Sequence, residues 1–152
     1  MRNNNGEYGT LTGNQTGALL TDYILSQHAE KGTMPENGVV IKTVVTTEMI
    51  RAITKYYGVE MMEVLTGFKF IGEKIKEFEK TNSNSYIFGF EESYGYLSGT
   101  YARDKDAVVA SMLIVEMAAY YSAKNMTLFD AMEALYEKYG YYLEGVVNIY
   151  EE

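Results

Sequence analysis

The run Val39–Thr47, VVIKTVVTT, constrains the fold more than any other stretch of this sequence. It is β-branched at every position but Lys42. A strand with one wet face alternates apolar and polar residues. This one does not, so it calls for cover on both faces, the situation of a central strand in a parallel sheet. Parallel strands need crossover helices, and the flanking sequence supplies them.

Thr12-Gly13-Asn14-Gln15 opens a helix with Asn14 as the expected N-cap. Leu19, Leu20, Tyr23, Ile24 and Ala29 form its apolar stripe, and Lys31-Gly32 ends it. Thr47 caps a second helix, EMIRAITKYY, which Gly58 stops. Glu60–Leu65 reads as a strand and Phe68–Lys80 as a helix with Phe70, Ile71, Ile75 and Phe78 inward. Tyr86-Ile87-Phe88 is a further short buried strand. Ala107–Tyr121 is apolar nearly all round, which predicts a helix buried on more than one side, with Glu116 at its least buried edge. Thr127 to Asp130 resembles a capping box, opening a helix that runs to Tyr139 and stops at Gly140. The tail LEGVVNIYEE has the character of an edge strand, and residues 3 to 10 read as a turn and a short strand. Together these predict a three-layer α/β/α sandwich. Its sheet is mainly parallel (mixed), has about four strands and is joined by right-handed crossovers.

Composition limits the function. The 152 residues suit one domain, and the net charge of −8 opposes non-specific nucleic-acid binding, which runs on basic surface. Local positive groups can still hold an anionic ligand. The absence of cysteine removes disulfide and thiol chemistry. No apolar run reaches the ~18 residues of a membrane span. The polar start MRNNNGEYG lacks a signal peptide's apolar region. The expectation is a cytoplasmic protein without nucleic-acid or membrane partners. His28, the single histidine, is expected to face solvent.

The chemistry gathers in Tyr86–Asp106, YIFGFEESYGYLSGTYARDKD. Here a strand runs into a glycine-bearing loop carrying Glu91, Glu92 and Ser93, followed by Arg103, Asp104, Lys105 and Asp106. Open α/β sheets bind ligands at the carboxyl ends of their strands. Carboxylate and hydroxyl acceptors beside guanidinium and ammonium donors suit a ligand with both hydroxyls and an anionic group, such as a phosphorylated sugar. A solvated loop followed by a helix N-terminus with acidic residues at its positive end explains the same residues. Tyr94, Tyr96 and Tyr101 flank the motif, where packing accounts for them as well as ligand stacking does.

GFEESYG resembles the sugar-binding loop of the α-D-phosphohexomutases, the phosphoglucomutase and phosphomannomutase family, and RDKDAV resembles a second segment of that family. LTGNQTGALLTDYIL and VLTGFKFIGEKI agree in the same order. The resemblance covers nearly the whole chain and matches the third of the family's four domains. It implies that residues 1–10 close the preceding metal-binding domain and that 11–152 form the sugar-recognition domain, ending at the junction to the fourth. Glu91 and Ser93 would bind adjacent sugar hydroxyls, and Glu92 would do so or support the loop. Lys105 would serve as the catalytic residue, either a phosphate ligand or a proton-transfer group. Arg103 would contact phosphate or pair with a loop carboxylate. Thr66, Gly67 and Lys69 of the TGFK turn would lie beside the sugar, with a solvated helix residue the equal alternative for Lys69.

The family's reaction moves a phosphoryl group between hexose 1- and 6-phosphates through a phosphoserine. Its serine loop, its Mg2+-binding aspartate loop and its phosphate-gripping loop have no counterpart in this sequence. The resemblance therefore implies a piece that is inactive alone and binds no magnesium. Its partners would be glucose or mannose phosphate and the other three domains. The alternative is a stand-alone, non-catalytic α/β module that binds a sugar or nucleotide.

Overall fold

The computed structural model describes residues 3, 5–145 and 147. Among these residues, five helices and four strands follow in the order α1 (Gly13–Lys31), β1 (Gly38–Thr43), α2 (Met49–Tyr57), β2 (Glu60–Val64), α3 (Phe68–Thr81), β3 (Ser85–Glu91), β4 (Gly95–Ser98), α4 (Ala107–Ser122) and α5 (Leu128–Tyr139). The strands form one sheet in the order β2-β1-β3-β4. β1 is parallel to both neighbours, and β4 is antiparallel to β3. All six residues of β1 are buried, but the strand is shorter than the run Val39–Thr47 predicts: it ends at Thr43, and Val44 and Val45 stand 51% and 54% exposed in the loop that follows.

The sheet separates two apolar layers. Val39, Ile41, Tyr86 and Leu97 meet Phe68, Ile71, Ile75 and Phe78 of α3 on one face. Val40, Phe88, Phe90 and Tyr96 meet α1, α2, α4 and α5 on the other. The register between β1 and β3 slips at Val39/Val40, whose partners are Tyr86 and Phe88. The extra residue, Ile87, turns to the same layer as Phe88, so this bulge adds an anchor on the four-helix side.

α1 sits unusually close to β3. A Cβ on Gly17 would overlap the Phe90 ring, and one on Gly13 would overlap the Glu92 carbonyl oxygen. Two side-chain-free positions one turn apart let the helix backbone rest on the strand end. Farther along α1, the buried Asp22 accepts hydrogen bonds from the Tyr57 hydroxyl at 3.2 Å and from that of Tyr139, tying α1 to α2 and α5.

Four further expectations are revised. The N-cap of α1 is Thr12, whose hydroxyl accepts from Gln15 N–H while Gln15 answers at Thr12 N–H; Asn14 lies within the helix. The capping box wins because it satisfies two free donors at once. The fourth strand is β4, inside the stretch read as a loop. Most of the tail expected to form an edge strand falls outside the described residues, and the described part, residues 141–145 and 147, is not a strand. α4 is not buried all round: only Ala110 and Met117 are buried, while Val108, Met112 and Val115 are 79%, 58% and 69% exposed.

Gly17→Ala should destabilise the chain by about 1–3 kcal/mol, the usual cost of overpacking. Urea unfolding measures this, and the added substitution Phe90→Leu should recover part of the loss, since the clash is with that ring.

Candidate functional site

β1 passes through α2 to β2 on one side. The chain then crosses the opposite face through α3 to reach β3 on the other side of β1. The carboxyl ends of β1 and β3 thus flank the point where the winding reverses, the usual ligand crevice of such sheets. Thr43 ends β1 and Glu91 ends β3.

Glu91 pairs directly across the β3–β4 ladder with Gly95. The loop between them is Glu92-Ser93-Tyr94, with Tyr94 in the left-handed region at φ 64°. A three-residue hairpin loop needs such a residue, and glycine or asparagine is the usual one. Tyr94 is held there from outside, its hydroxyl donating to Leu11 C=O at 3.2 Å. Tyr96 donates similarly to Gly13 C=O at 3.0 Å. Both phenols clamp the hairpin to the start of α1.

Glu91 is buried, and its Oε1 accepts Gly67 N–H at 2.9 Å. Gly67, at φ 124°, opens α3 in a conformation open to glycine. One carboxylate oxygen thereby joins the β3 end to the β2–α3 turn. The other, Oε2, lies 3.2 Å from where a Cβ of Gly95 would stand, and Lys105 Cδ lies 3.0 Å from that same point. Phe68 floors this space, with Lys105 Nζ 5.8 Å from its ring centre. A bare glycine, a carboxylate oxygen, an ammonium stem and an aromatic edge therefore converge.

The structure brings some expected residues together and separates others. Ser93 is exposed on the hairpin and makes no hydrogen bond among the described residues. Glu92 is half-buried, its Oε2 3.4 Å from Thr43 Oγ1 across the crevice. Thr66 and Lys69 are exposed at the entry to α3, Lys69 Nζ standing 4.9 Å from the Phe70 ring centre. Lys105 is exposed, 3.4 Å from Asp104 Oδ1. Arg103 pairs with Glu79 of α3 and donates to Ala102 C=O at 2.9 Å; it touches neither loop glutamate. Its own carbonyl packs where a Cβ on Gly72 would be. Arg103 thus seats the segment carrying Lys105 on α3. Asp106 caps α4 through Val108 and Val109 N–H, bonds that hold its carboxyl below the ordinary range.

Lys42 is hidden from sequence reasoning in its β-branched run. It is fully buried, with Nζ 2.8 Å from both Glu48 Oε1 and Glu63 Oε1 and 3.0 Å from Thr46 C=O. Its signal is the lone charge in an otherwise apolar strand. It orders the loop after β1, where Thr46 Oγ1 meets Thr43 Oγ1 at 2.7 Å and Thr47 N–H donates to Asn14 Oδ1 at 3.0 Å. Thr47 Oγ1 also accepts Met49 N–H at 3.2 Å, capping α2 from one residue ahead of the assigned N-cap, Glu48. The Lys42 hydrogen bond holds Glu48 down to about 2 against the cost of desolvation, with Arg51 assisting.

Two outcomes follow. A carboxyl whose folded value is depressed adds stability above its ordinary range and loses it as pH falls through the depressed value. The stability gap between wild type and Glu48→Gln should be full at neutral pH and close as pH falls from about 4.5 to about 2, read from denaturant midpoints across that window. Second, Glu91→Ala should cost about 1–3 kcal/mol by orphaning Gly67 N–H. Ser93→Ala should stay within about 0.5 kcal/mol, as exposed substitutions do.

The sequence of residues 12–139 matches the model of the phosphoglucomutase/phosphomannomutase α/β/α domain III. A phosphoglucomutase of Staphylococcus aureus strain bovine RF122 / ET3-1 is 38% identical over 135 residues, 89% of this chain and 23% of that protein. One from strain USA300 is 37% identical over 139 residues, 91% of this chain and 24% of that protein. The chain spans about a quarter of the length of these relatives. Two solved structures share the fold. A protein described as a phosphomannomutase from Thermus thermophilus has a TM-score of 0.66 at 21% identity over 85% of this chain and 26% of that one. The open form of Paramecium parafusin, a phosphoglucomutase, has a TM-score of 0.66 at 18% identity over 90% and 22%. This chain belongs to the phosphoglucomutase/phosphomannomutase family, and is its domain III.

Proposed function

We propose that this domain reads the sugar of a hexose phosphate within a longer enzyme that interconverts hexose 1- and 6-phosphates. The observation that carries the reading is the convergence of Glu91 Oε2 and the Lys105 stem over Gly95, at the base of the hairpin whose loop exposes Ser93. Glu91 accepts hydrogen bonds from sugar hydroxyls through Oε2, with Oε1 retained by Gly67 N–H. Ser93, exposed in the loop that follows, supplies a neutral partner. Lys105, on a flexible exposed stem, meets the phosphoryl group as a ligand or proton carrier. Glu92 supports the hairpin across the crevice from Thr43, and Thr66, Gly67 and Lys69 border the sugar. Arg103 acts at one remove, holding the Lys105 segment on α3.

The phosphoserine and the phosphate grip belong, on this reading, to the rest of the enzyme. Residues 1–10 close the preceding domain, and the following one begins after this chain. Magnesium neutralises charge in phosphoryl transfer. Among the described residues no three His, Cys, Asp or Glu side chains converge to hold a metal, so no step here runs through one. No helix of the described residues is long and apolar enough to cross a membrane, and a cytoplasmic enzyme goes with this reading.

In the complete enzyme, Glu91→Gln should lower kcat/KM about tenfold to a hundredfold in both directions, since hydrogen bonds to charged groups lie near 1.5–3 kcal/mol. Ser93→Ala should do less. The 152-residue chain alone should show no conversion of glucose 1-phosphate. Its amide signals at Gly67, Ser93, Gly95 and Lys105 should shift together when that sugar phosphate is added. Wild-type kinetics in Glu91→Gln, or shifts confined to other regions, would remove the assignment.

A further inference from the structure

α3 touches the site at successive levels. At its start Gly67 N–H holds Glu91 Oε1 at 2.9 Å. The next residue, Phe68, places its ring under Lys105. About one turn farther, Gly72 receives the Arg103 carbonyl, and a Cβ there would stand 2.4 Å from that oxygen. About two turns beyond Gly72, Glu79 pairs with the Arg103 guanidinium. A glycine inside a helix weakens it, because glycine has the most backbone freedom to lose. Gly72 is buried within α3 and its φ is not positive, so its backbone conformation does not call for glycine. Space does, since the Arg103 backbone comes closer to α3 than a side chain at this position permits.

The guanidinium completes this seat. Besides pairing with Glu79, it donates to the carbonyls of Thr100 and Ala102 and so folds its own segment around itself. Beyond Lys105, Asp106 N–H donates to Tyr96 C=O of β4 at 2.9 Å. Lys105 therefore lies between two anchors, one on α3 and one on the sheet. The helix that seats the first anchor is also the one that holds Glu91. We infer that Gly72 and Glu79 are positioning residues for the reaction: through Arg103 they set where Lys105 stands relative to Glu91, with α3 as the common ruler. The inference rests on the reading of Glu91 and Lys105 as the groups that meet the sugar and the phosphoryl group. It gives Arg103 a framework role in place of a phosphate contact.

A double-mutant cycle in the complete enzyme tests this, with kcat/KM read in both directions beside the melting temperature. Glu79→Gln changes an exposed side chain, so it should leave the melting temperature in place. It should lower kcat/KM about two- to fivefold, the rate equivalent of an exposed ion pair. Arg103→Gln also loses the carbonyl bonds and should lower it further. Gly72→Ala should lower it at least about tenfold by displacing the backbone that bears Lys105, as small misplacements at a site do. If Gly72→Ala does not fold, Glu79→Gln still decides the matter. In a Lys105→Ala background each of these substitutions should make no further difference, because no ammonium is left to misplace. Equal losses in both backgrounds are the mark of a merely structural role and overturn the inference. Wild-type kinetics in Glu79→Gln overturns it as well, and a loss in Arg103→Gln that persists without Lys105 assigns Arg103 to the phosphate instead. Wild-type kinetics in Lys105→Ala alone would strike the functional reading itself, an outcome distinct from the other two.

Discussion

The seating of α1 on the carboxyl end of β3 is the contact on which the arrangement of the site depends. Gly13 and Gly17 leave no side chain between helix and strand, so the first turn of α1 rests on the Phe90 ring and the Glu92 backbone. Tyr94 and Tyr96 then fasten the hairpin to the two carbonyls just before and at the helix start. Asn14, displaced from the capping role by Thr12, is free to receive Thr47 N–H and so fixes the loop after β1. One helix start therefore fixes two of the loops that border the crevice.

Glu91 and Lys42 organise the remainder by opposite means. Glu91 brings a carboxylate under cover and satisfies half of it with a backbone N–H from the β2–α3 turn, leaving its second oxygen beside bare Gly95. Lys42 brings a cation under cover and surrounds it with two carboxylates and a carbonyl. Burying either charge without partners would cost several kcal/mol, on the order of what a whole domain has to spare. Each is therefore a constraint on the loop that satisfies it. The loops after β1 and β2 hold their shape because a buried charge requires it, which is a stronger condition than the propensity of their own residues.

Much of this is legible in the sequence, and the failures share a cause. The helices and first three strands follow from periodicity and turn chemistry, and the α3 anchors Ile71, Ile75 and Phe78 are readable from a 3.6-residue repeat. β4 escapes because its four residues, Gly95-Tyr96-Leu97-Ser98, sit among glycines that read as a loop. Its strand character comes from pairing with β3, which is not local information. Lys42 escapes because a strand pattern says nothing about which cations find carboxylates from other elements. Arg103 carries the same lesson in reverse. Its nearness in sequence to the loop glutamates suggests a partner there, but its carboxylate is Glu79, brought in by α3. The burial expected for α4 is a different case, because hydropathy reports that a face is apolar and not that another element packs on it, and Val108, Met112 and Val115 stand exposed.

The division of labour at the site has a physical logic under the proposed reading. A sugar that is bound twice, once in each orientation, presents similar hydroxyls but exchanges the ends that carry phosphate. The hydroxyl acceptor must then be rigid and the cation adaptable. Glu91 is rigid: it is buried at the end of a strand, with one oxygen tied to Gly67. Lys105 is adaptable: its side chain is 55% exposed, and its ion pair with Asp104, at 3.4 Å, is an exposed one of small worth. What is fixed for Lys105 is its base, because the segment that bears it is pinned to α3 by Arg103 and Gly72 and ends in the Asp106 cap of α4. A long flexible stem on a fixed base sweeps a bounded volume above Phe68 and Gly95. That allows one ammonium to follow a charge that arrives in two places, while the carboxylate beside it keeps the ring in register.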